Sequence, residues 1–551
     1  MLVNHLKGGA GASKYLTVAY GLHIVSGHLC KSLVTGSSPN HQITIQQLLG
    51  RGPWDGCEGL WFNGLEITPA NYKFYPGIQS PGMSDTTQGR DSVFDTDTPH
   101  SGVAWIRATL PTGVGNADTK NNPPNGLAGR FRTTKCQNYN ASGSAVGSPA
   151  YSTNPALQVA DLLLRIGRIP SSRIDWPAWV DWRDYCDELI DHDYTALPGL
   201  AGIGLRADYY NGTSFDTLVT SRIDPYVEFA SSNGSPGIGV NADNFSARFR
   251  GKIKPLYTET YTFYLTHTHG ARLWVNNLST PLIDQWTSSG THSATIALTA
   301  DQLYDIKVEW QHTTGTAELR LEWQSTSQAR EVVSHRRLYP LTVQKQRFET
   351  HPAFPSPTRL DDAVRTILSL CKSTVQERGG KLRFFSFEQI TQTSFNFDSA
   401  VILDGSFRVT RRDVTQTRNV WTASYRDVES QYIERPIDIL KIEDETLIAK
   451  AGRRIDGEPI ELYNMTTHQA YRVLDAVKKM QADTATAVEL SAAANSFEVL
   501  PGDAVHLELP ILDTPRKMLV VEANDRSAEE TPDERLFTLT DWTLHSISDS
   551  Y

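Results

Sequence analysis

The sequence predicts a multidomain, mainly β protein with some α+β structure, in which an all-β block interrupts a mixed scaffold. Three observations carry this. The chain has 551 residues, while single hydrophobic cores stop growing at roughly 250–300 residues. Period-two alternation of apolar and polar residues dominates 205–325, as strands with one buried and one wet face require. Helical periodicity is confined to four segments outside that block.

Residues 1–150 are β-rich, with Gly, Pro, Asn and Thr clusters between short apolar runs. Residues 103–108 form a strand before Pro111, and a loop follows over 113–126. The first helix starts at Asn154-Pro155, since Asn caps well and Pro suits the first helical position. It runs through 156–165 with Leu157, Ala160 and Leu164 on one face. A second helix is predicted over 177–191, where Trp182, Tyr185, Cys186 and Leu189 share a stripe. A linker with Pro198, Gly199, Gly202 and Gly204 leads into the alternating block. There Phe245, Ala247 and Phe249 alternate with Ser246, Arg248 and Arg250. Tyr304, Ile306, Val308 and Trp310 alternate with Asp305, Lys307 and Glu309, and Leu319, Leu321 and Trp323 repeat the pattern. Several such strands between turn residues make a β-sandwich.

Beyond residue 343 the pattern is mixed again. Thr358 caps a helix bearing Val364, Ile367, Leu368 and Cys371, which Gly379-Gly380 ends. A strand follows over 381–387. A fourth helix covers 467–480, with Ala470, Val473, Leu474 and Val477 on one face, and 487–551 is β-rich. The expected boundaries are 1–202, 203–340, 341–480 and 481–551.

Composition excludes several classes. The formal net charge is −10, with no basic stripe, so no sequence-specific nucleic-acid partner is expected. Cys30, Cys57, Cys136, Cys186 and Cys371 are odd in number and widely spaced, without CxxC, which argues against a zinc ribbon or a disulfide framework. No apolar run reaches membrane-span length, and residues 1–14 lack a signal-peptide apolar core. A surface role would therefore need delivery by a route such as cell lysis.

The chemical motifs are sparse, and no enzyme is expected. Gly8-Gly9-Ala10-Gly11-Ala12-Ser13-Lys14 fails the phosphate-loop pattern, because Ser13 precedes Lys14 and Tyr15 follows it; a flexible arm is the reading preferred. Asp191-His192-Asp193 and Asp95-Thr96-Asp97 read as solvated acids at element ends. Glu309 and Glu322 occupy strand positions expected to face solvent and would pair as glycosidase acids only by chance. No GxSxG, HExxH or Cys/His constellation occurs. His267 and His269 form an HxH pair that could project to one side of a strand toward a metal. With no third ligand nearby, polar loop residues are the preferred reading. Trp274, Trp286 and Trp310 are expected in the sandwich core rather than as sugar platforms.

Residues 203–340 carry a family resemblance. Gly204-Leu205-Arg206-Ala207-Asp208-Tyr209-Tyr210-Asn211, Arg222-Ile223-Asp224-Pro225, Asp243-Asn244-Phe245-Ser246, Thr260-Tyr261-Thr262-Phe263, Arg272-Leu273-Trp274-Val275-Asn276, Leu282-Ile283-Asp284-Gln285-Trp286 and Leu338-Tyr339-Pro340 occur in order. The stretch resembles the protective-antigen-type (PA-fourteen) domain. The resemblance implies a β-sandwich often used to bind glycans. In sugar-binding members two adjacent aspartates ligate calcium just before the glycine of the RLWV strand. Here Thr268-His269-Gly270 stand there, which argues against calcium, a cation that wants hard carboxylate oxygens. The glycan-binding candidates are His267, Thr268, His269, Asn276 and Asn277. No metal or other cofactor is expected.

The flanks resemble the lambda-type tail tip attachment proteins and related phage and gene-transfer-agent tail hubs. Gly50-Arg51-Gly52-Pro53-Trp54-Asp55-Gly56-Cys57-Glu58-Gly59-Leu60 before Trp61-Phe62-Asn63-Gly64 carries this. So do Thr98-Pro99-His100-Ser101-Gly102-Val103-Ala104-Trp105, the stretch from Asn154-Pro155-Ala156 to Tyr185-Cys186-Asp187, residues 371–387, and Leu500-Pro501-Gly502-Asp503-Ala504-Val505. The resemblance implies tail-tube-like β-barrel hub domains and a homotrimer that closes the distal end of a tail tube. Implied partners are a distal tail or tail tube protein, the tape-measure protein and tail fibres, with host surface glycan for the inserted block. The implied location is the virion tail tip, after synthesis in the bacterial cytoplasm. If 203–340 is removed, the helix predicted to end at Asp191 runs on towards Arg347-Phe348-Glu349, as in those hubs. Three functional readings stand: a structural hub, an adhesin-like glycan binder, and a cell-wall-degrading enzyme.

Overall fold

The computed structural model describes residues 17–26, 28–35, 42–62, 65–77, 102–110, 127–197, 200–231, 235–237, 239–390, 393–411, 418–428, 438–483, 486–493, 496–509, 516–525 and 534–541. The glycine-rich segment 8–14, the Asp95–Asp97 cluster and the loop 113–126 lie outside them. The protein is multidomain and mainly β, with many sheets. It divides into two compact units. One comprises the described residues of Met1–Glu188, Gln346–Arg426 and Pro436–Ser550; the other is centred on Leu189–Lys345.

In the larger unit, a sheet ordered Ala145–Tyr151, Leu127–Tyr139, Trp54–Phe62, Leu65–Glu66 accompanies a four-stranded sheet, His28–Thr35, Gln42–Arg51, Val103–Leu110, Tyr72–Tyr75. Ile45, Trp54, Leu60, Ile106 and Phe131 share a buried core. Gly52 is required by close approach, since a Cβ there would meet the Gly77 carbonyl oxygen at 2.3 Å. A six-stranded sheet is built from Phe395–Phe397, Ala504–Leu507, Arg516–Asp525, Arg535–Asp541, Thr486–Ala492 and Arg408–Arg411. It has its own core around Phe397, Leu490, Val505 and Phe537.

The helical layer of this unit begins as the sequence predicts. The Asn154 side chain accepts from the Ala156 N–H at 2.8 Å, capping Pro155–Asp161. The second helix is shorter than expected. It spans Trp176–Asp187, and Leu189–His192 is a strand paired with Val343–Gln346. Glu188 is extended, and its carbonyl accepts from the Arg347 N–H at 2.7 Å. Phe348 N–H donates to the Cys186 carbonyl at 3.2 Å. Backbone pairing with the returning chain thus overrides the helical stripe, and Leu189 is exposed.

The third helix, Leu360–Leu370, is capped at Arg359 rather than by Thr358, whose hydroxyl donates to the Ser356 carbonyl at 3.0 Å. Nor do Gly379 and Gly380 end it. They turn the hairpin between Ser373–Arg378 and Lys381–Ser386, with φ of 57° and 74°. Two consecutive left-handed residues are what a two-residue hairpin loop needs. The fourth predicted helix is Thr467–Asp483. A further helix, Glu445–Ala451, escaped the periodicity reading.

The smaller unit is a β-sandwich. One sheet is ordered Thr217–Asp224, Leu205–Asn211, Phe245–Ile253, Tyr304–His312, Gly270–Val275, Ile283–Gln285, with Leu338–Pro340 also on Phe245–Ile253. The other is ordered Glu228–Ser231, Ala317–Gln324, Glu259–His267, Gly290–Leu298. The alternating rows meet as predicted: Phe245, Phe249, Phe263, Leu273, Val308, Leu319 and Trp323 share one core. The Arg222–Asp224 motif is a buried ion pair, and Tyr209 donates to the same carboxylate. Three expectations about this block need correction. Glu309 is buried beneath Arg248, whose Nε lies 2.9 Å away, rather than facing solvent. Trp310 is in the core, but Trp274 is not; it lies under Lys307, whose Nζ is 3.6 Å from the ring centroid. Trp286 is half-buried and carries Arg272 at 4.7 Å.

Candidate functional site

Strand direction gives the sandwich two ends. Phe245 pairs with His312 and Ile253 with Tyr304. Gly270 pairs with Gln311 and Val275 with Ile306. His267, Thr268 and His269 therefore sit at the end bearing Phe245 and His312, while Asn276 and Asn277 follow Val275 at the other end. The structure brings the first three candidates together and leaves the two asparagines apart. Asn277 Oδ1 accepts from the Ser279 N–H at 2.9 Å, which makes it a turn residue.

His267 closes the buried row Tyr261, Phe263, Leu265. A nitrogen of its ring, Nδ1, lies 3.1 Å from the His269 carbonyl oxygen. Thr268 is held by both sides of one peptide partner: its N–H donates to the Glu318 carbonyl at 2.9 Å, and its hydroxyl accepts from the Glu318 N–H at 3.0 Å. Its own carbonyl accepts from Trp310 Nε1 at 3.0 Å. His269 takes a left-handed conformation, φ 58°. Its N–H donates to Ser289 Oγ at 2.9 Å, and its Nδ1 faces His312 Nδ1 at 3.1 Å.

A second loop lies against the first. The Trp286 carbonyl accepts from Gln311 Nε2 at 2.7 Å. Gly270 allows that approach, since a Cβ there would sit 2.0 Å from the same carbonyl oxygen. Phe215 reaches Trp286 at 5.9 Å between ring centroids. Sequence reading missed His292 and His312. The register places His292 opposite Leu265, and its ring is 5.5 Å from that of His267. Asp243 approaches His312 Nε2 at 3.6 Å. The only local signal for either histidine was its place on the inward parity of an alternating strand.

Electrostatics follow from burial. Desolvation lowers the His267 pKa, with the neighbouring His292 adding to it. Desolvation and then His269 lower that of His312, against the pull of Asp243. Both rings are thus held neutral as pH falls toward the ordinary histidine range. The residues do not fit calcium. Thr268 and His269 offer no carboxylate, the Thr268 hydroxyl is engaged with backbone, and calcium needs several hard oxygens. Among the described residues no group of three or more His, Cys, Asp or Glu is arranged to hold a metal ion. What the loop leaves partly at the surface is the half-buried His269 and Trp286, while His267 and His312 are buried. Elsewhere, the half-buried Asp193 caps a turn by accepting from the Thr195 N–H at 2.9 Å. Among the described residues no helix is long and apolar enough to cross a membrane.

Comparison with known proteins adds two kinds of likeness. Residues 203–336 match the family model described as the PA14 domain, so that domain is present. Over 141 residues the chain is 41% identical to the anti-sigma-I factor RsgI3 of Acetivibrio thermocellus; the match covers 25% of this chain and 22% of that protein. The chain thus spans about a fifth of the length of the curated relative it matches. A chain from the virion of a native gene transfer agent particle is similar over 100% of this chain and 89% of its own, with a TM-score of 0.51 at 9% identity. That likeness is one of fold. A PA14 sugar-binding domain from an RTX adhesin is similar over 26% of this chain and 100% of its own, with a TM-score of 0.22 at 17% identity.

Proposed function

We propose that this chain is a structural virion protein, the central hub that closes the distal end of a phage-type tail tube, and that its PA14 domain contacts host surface glycan. The observation that carries the reading is the whole-chain likeness of fold to a chain of a gene transfer agent virion. A module alone would give likeness over a quarter of the chain; here the scaffold on both sides of the insertion takes part. Hydrogen bonds from Arg347 and Phe348 back to Glu188 and Cys186 support a scaffold that continues across the insertion. On this reading the hub is a homotrimer at the tail tip. It joins a distal tail or tail tube protein, the tape-measure protein and tail fibres, and has no catalytic step of its own.

The test is immunogold electron microscopy of particles from the source with antibody to residues 203–340. Label at the distal tip of tails is the expected result. Particles without label, with the chain elsewhere, would sink the hub. The PA14 domain favours a second reading, an adhesin-like glycan binder for which the scaffold is a mount. A glycan array probed with and without calcium tests it. Calcium-independent retention on a defined glycan class is expected, while strict calcium dependence contradicts the reading of Thr268 and His269.

A further inference from the structure

The end of the sandwich that bears Phe245 gathers four imidazoles, those of His267, His269, His292 and His312. Two of them meet nitrogen to nitrogen: His269 Nδ1 and His312 Nδ1 are 3.1 Å apart. Two nitrogens bound to one transition-metal ion at about 2.0–2.1 Å each stand about 3 Å from one another. The two ring centroids are 4.7 Å apart, with the planes 79° from parallel. Rings whose nitrogens pointed straight at each other across that gap would hold their centroids farther apart, because each centroid lies behind its nitrogen. The Nδ1 directions are thus bent off the line that joins them, as convergence on a shared third atom requires.

Both rings are set by the fold around them. His269 takes its left-handed backbone, φ 58°, with its N–H on Ser289 Oγ at 2.9 Å. His312 ends the strand Tyr304–His312 opposite Phe245 and is fully buried. Asp243 stands 3.6 Å from its Nε2. A carboxylate on that side favours the tautomer protonated at Nε2 and leaves Nδ1 as a lone pair, which is how a carboxylate stands behind a metal-bound histidine. His269 is only half-buried, so water can fill the remaining coordination positions. Nitrogen donors select zinc, nickel or copper(II) over calcium and magnesium, which prefer oxygen.

We propose that His269 and His312 hold a transition-metal dication through their Nδ1 atoms, with water completing its coordination. Binding makes two nitrogen–metal bonds and moves the His269 proton from Nδ1 to Nε2, with no change of oxidation state. It ties the 268–270 loop to the strand Tyr304–His312. The site depends on neither the hub nor the glycan reading. The experiment is calorimetric titration of the full chain with zinc chloride at pH 7.5, with calcium chloride as the control, followed by hydrogen exchange with and without zinc. Saturable zinc binding and slower exchange at residues 268–270 are expected. His269→Asn, a residue that tolerates the left-handed backbone, should weaken binding about tenfold or more with an unchanged far-ultraviolet spectrum. His292→Gln should leave binding as it is. Absence of saturable zinc binding, undiminished binding in His269→Asn, equal loss in His292→Gln, equal uptake of calcium, or unchanged exchange at 268–270 overturns the site. Particle labelling and the glycan array test the other two readings whatever the outcome here.

Discussion

His269 Nδ1 lies 3.1 Å from His312 Nδ1, so one ring donates and the other accepts. Double protonation would leave two N–H groups facing each other. The charged group facing His312 is Asp243 at 3.6 Å, and His267 faces His292. The folded pKa values of His267 and His312 are lowered. An unfolded chain takes up protons at these positions near pH 6.5 while the folded one resists, so stability is full above that pH and falls as pH drops through it. Hydrogen exchange should show weaker amide protection of residues 268–270 at pH 5 than at pH 7.5. His312→Asn should flatten the difference. Equal protection at both pH values in the native chain would refute the assignment.

His23 makes the same argument in the larger unit. Its Nε2 lies 2.9 Å from the Tyr20 carbonyl oxygen and its Nδ1 3.1 Å from Asn464 Nδ2. Burial lowers its pKa from 6.5 to about 4. The sign is again loss of stability as pH falls below 6.5, and the window closes near pH 4. The full effect is on the order of 3 kcal/mol. Denaturant titrations at pH 7 and pH 4.5 should differ for the native chain, and His23→Gln should narrow that difference.

Lys372 Nζ meets Glu388 Oε1 at 2.6 Å with both side chains buried, and Tyr185 donates to the same carboxylate. Burial brings the lysine pKa down to about 8. Removing one partner leaves an uncompensated buried charge, at roughly 3–5 kcal/mol. Glu388→Ala should lower the denaturation midpoint accordingly, and Lys372→Met/Glu388→Leu should recover most of the loss.

Trp310 ties the core to the candidate loop through the Thr268 carbonyl. Trp310→Ala should cost about 3–5 kcal/mol. Trp310→Phe should keep the fold and loosen the loop, read as faster exchange at residues 268–270. Millimolar calcium should leave the melting temperature of the native chain unchanged. A calcium-dependent rise would show oxygen ligands that Thr268 and His269 do not supply.

The sequence by itself determined the mainly β class and the strand rows of the sandwich. Alternation decides which side chains share a face, and Asn154-Pro155 carries its cap in its own chemistry. What alternation cannot state is which strand stands opposite. Only register put His292 beside His267 and His312 beside His269, across 25 and 43 residues of chain. Only pairing with the returning chain ended the second helix at Asp187, because a backbone hydrogen bond from Arg347 outweighed a helical stripe. Gly379-Gly380 could stop a helix or turn a hairpin with the same positive φ, and the neighbouring strands chose the hairpin. Glu309 stayed on the outer face of its sheet and was buried there because Arg248 on the adjacent strand covered it. In each case local sequence sets the allowed conformations, and a partner distant in the chain selects among them.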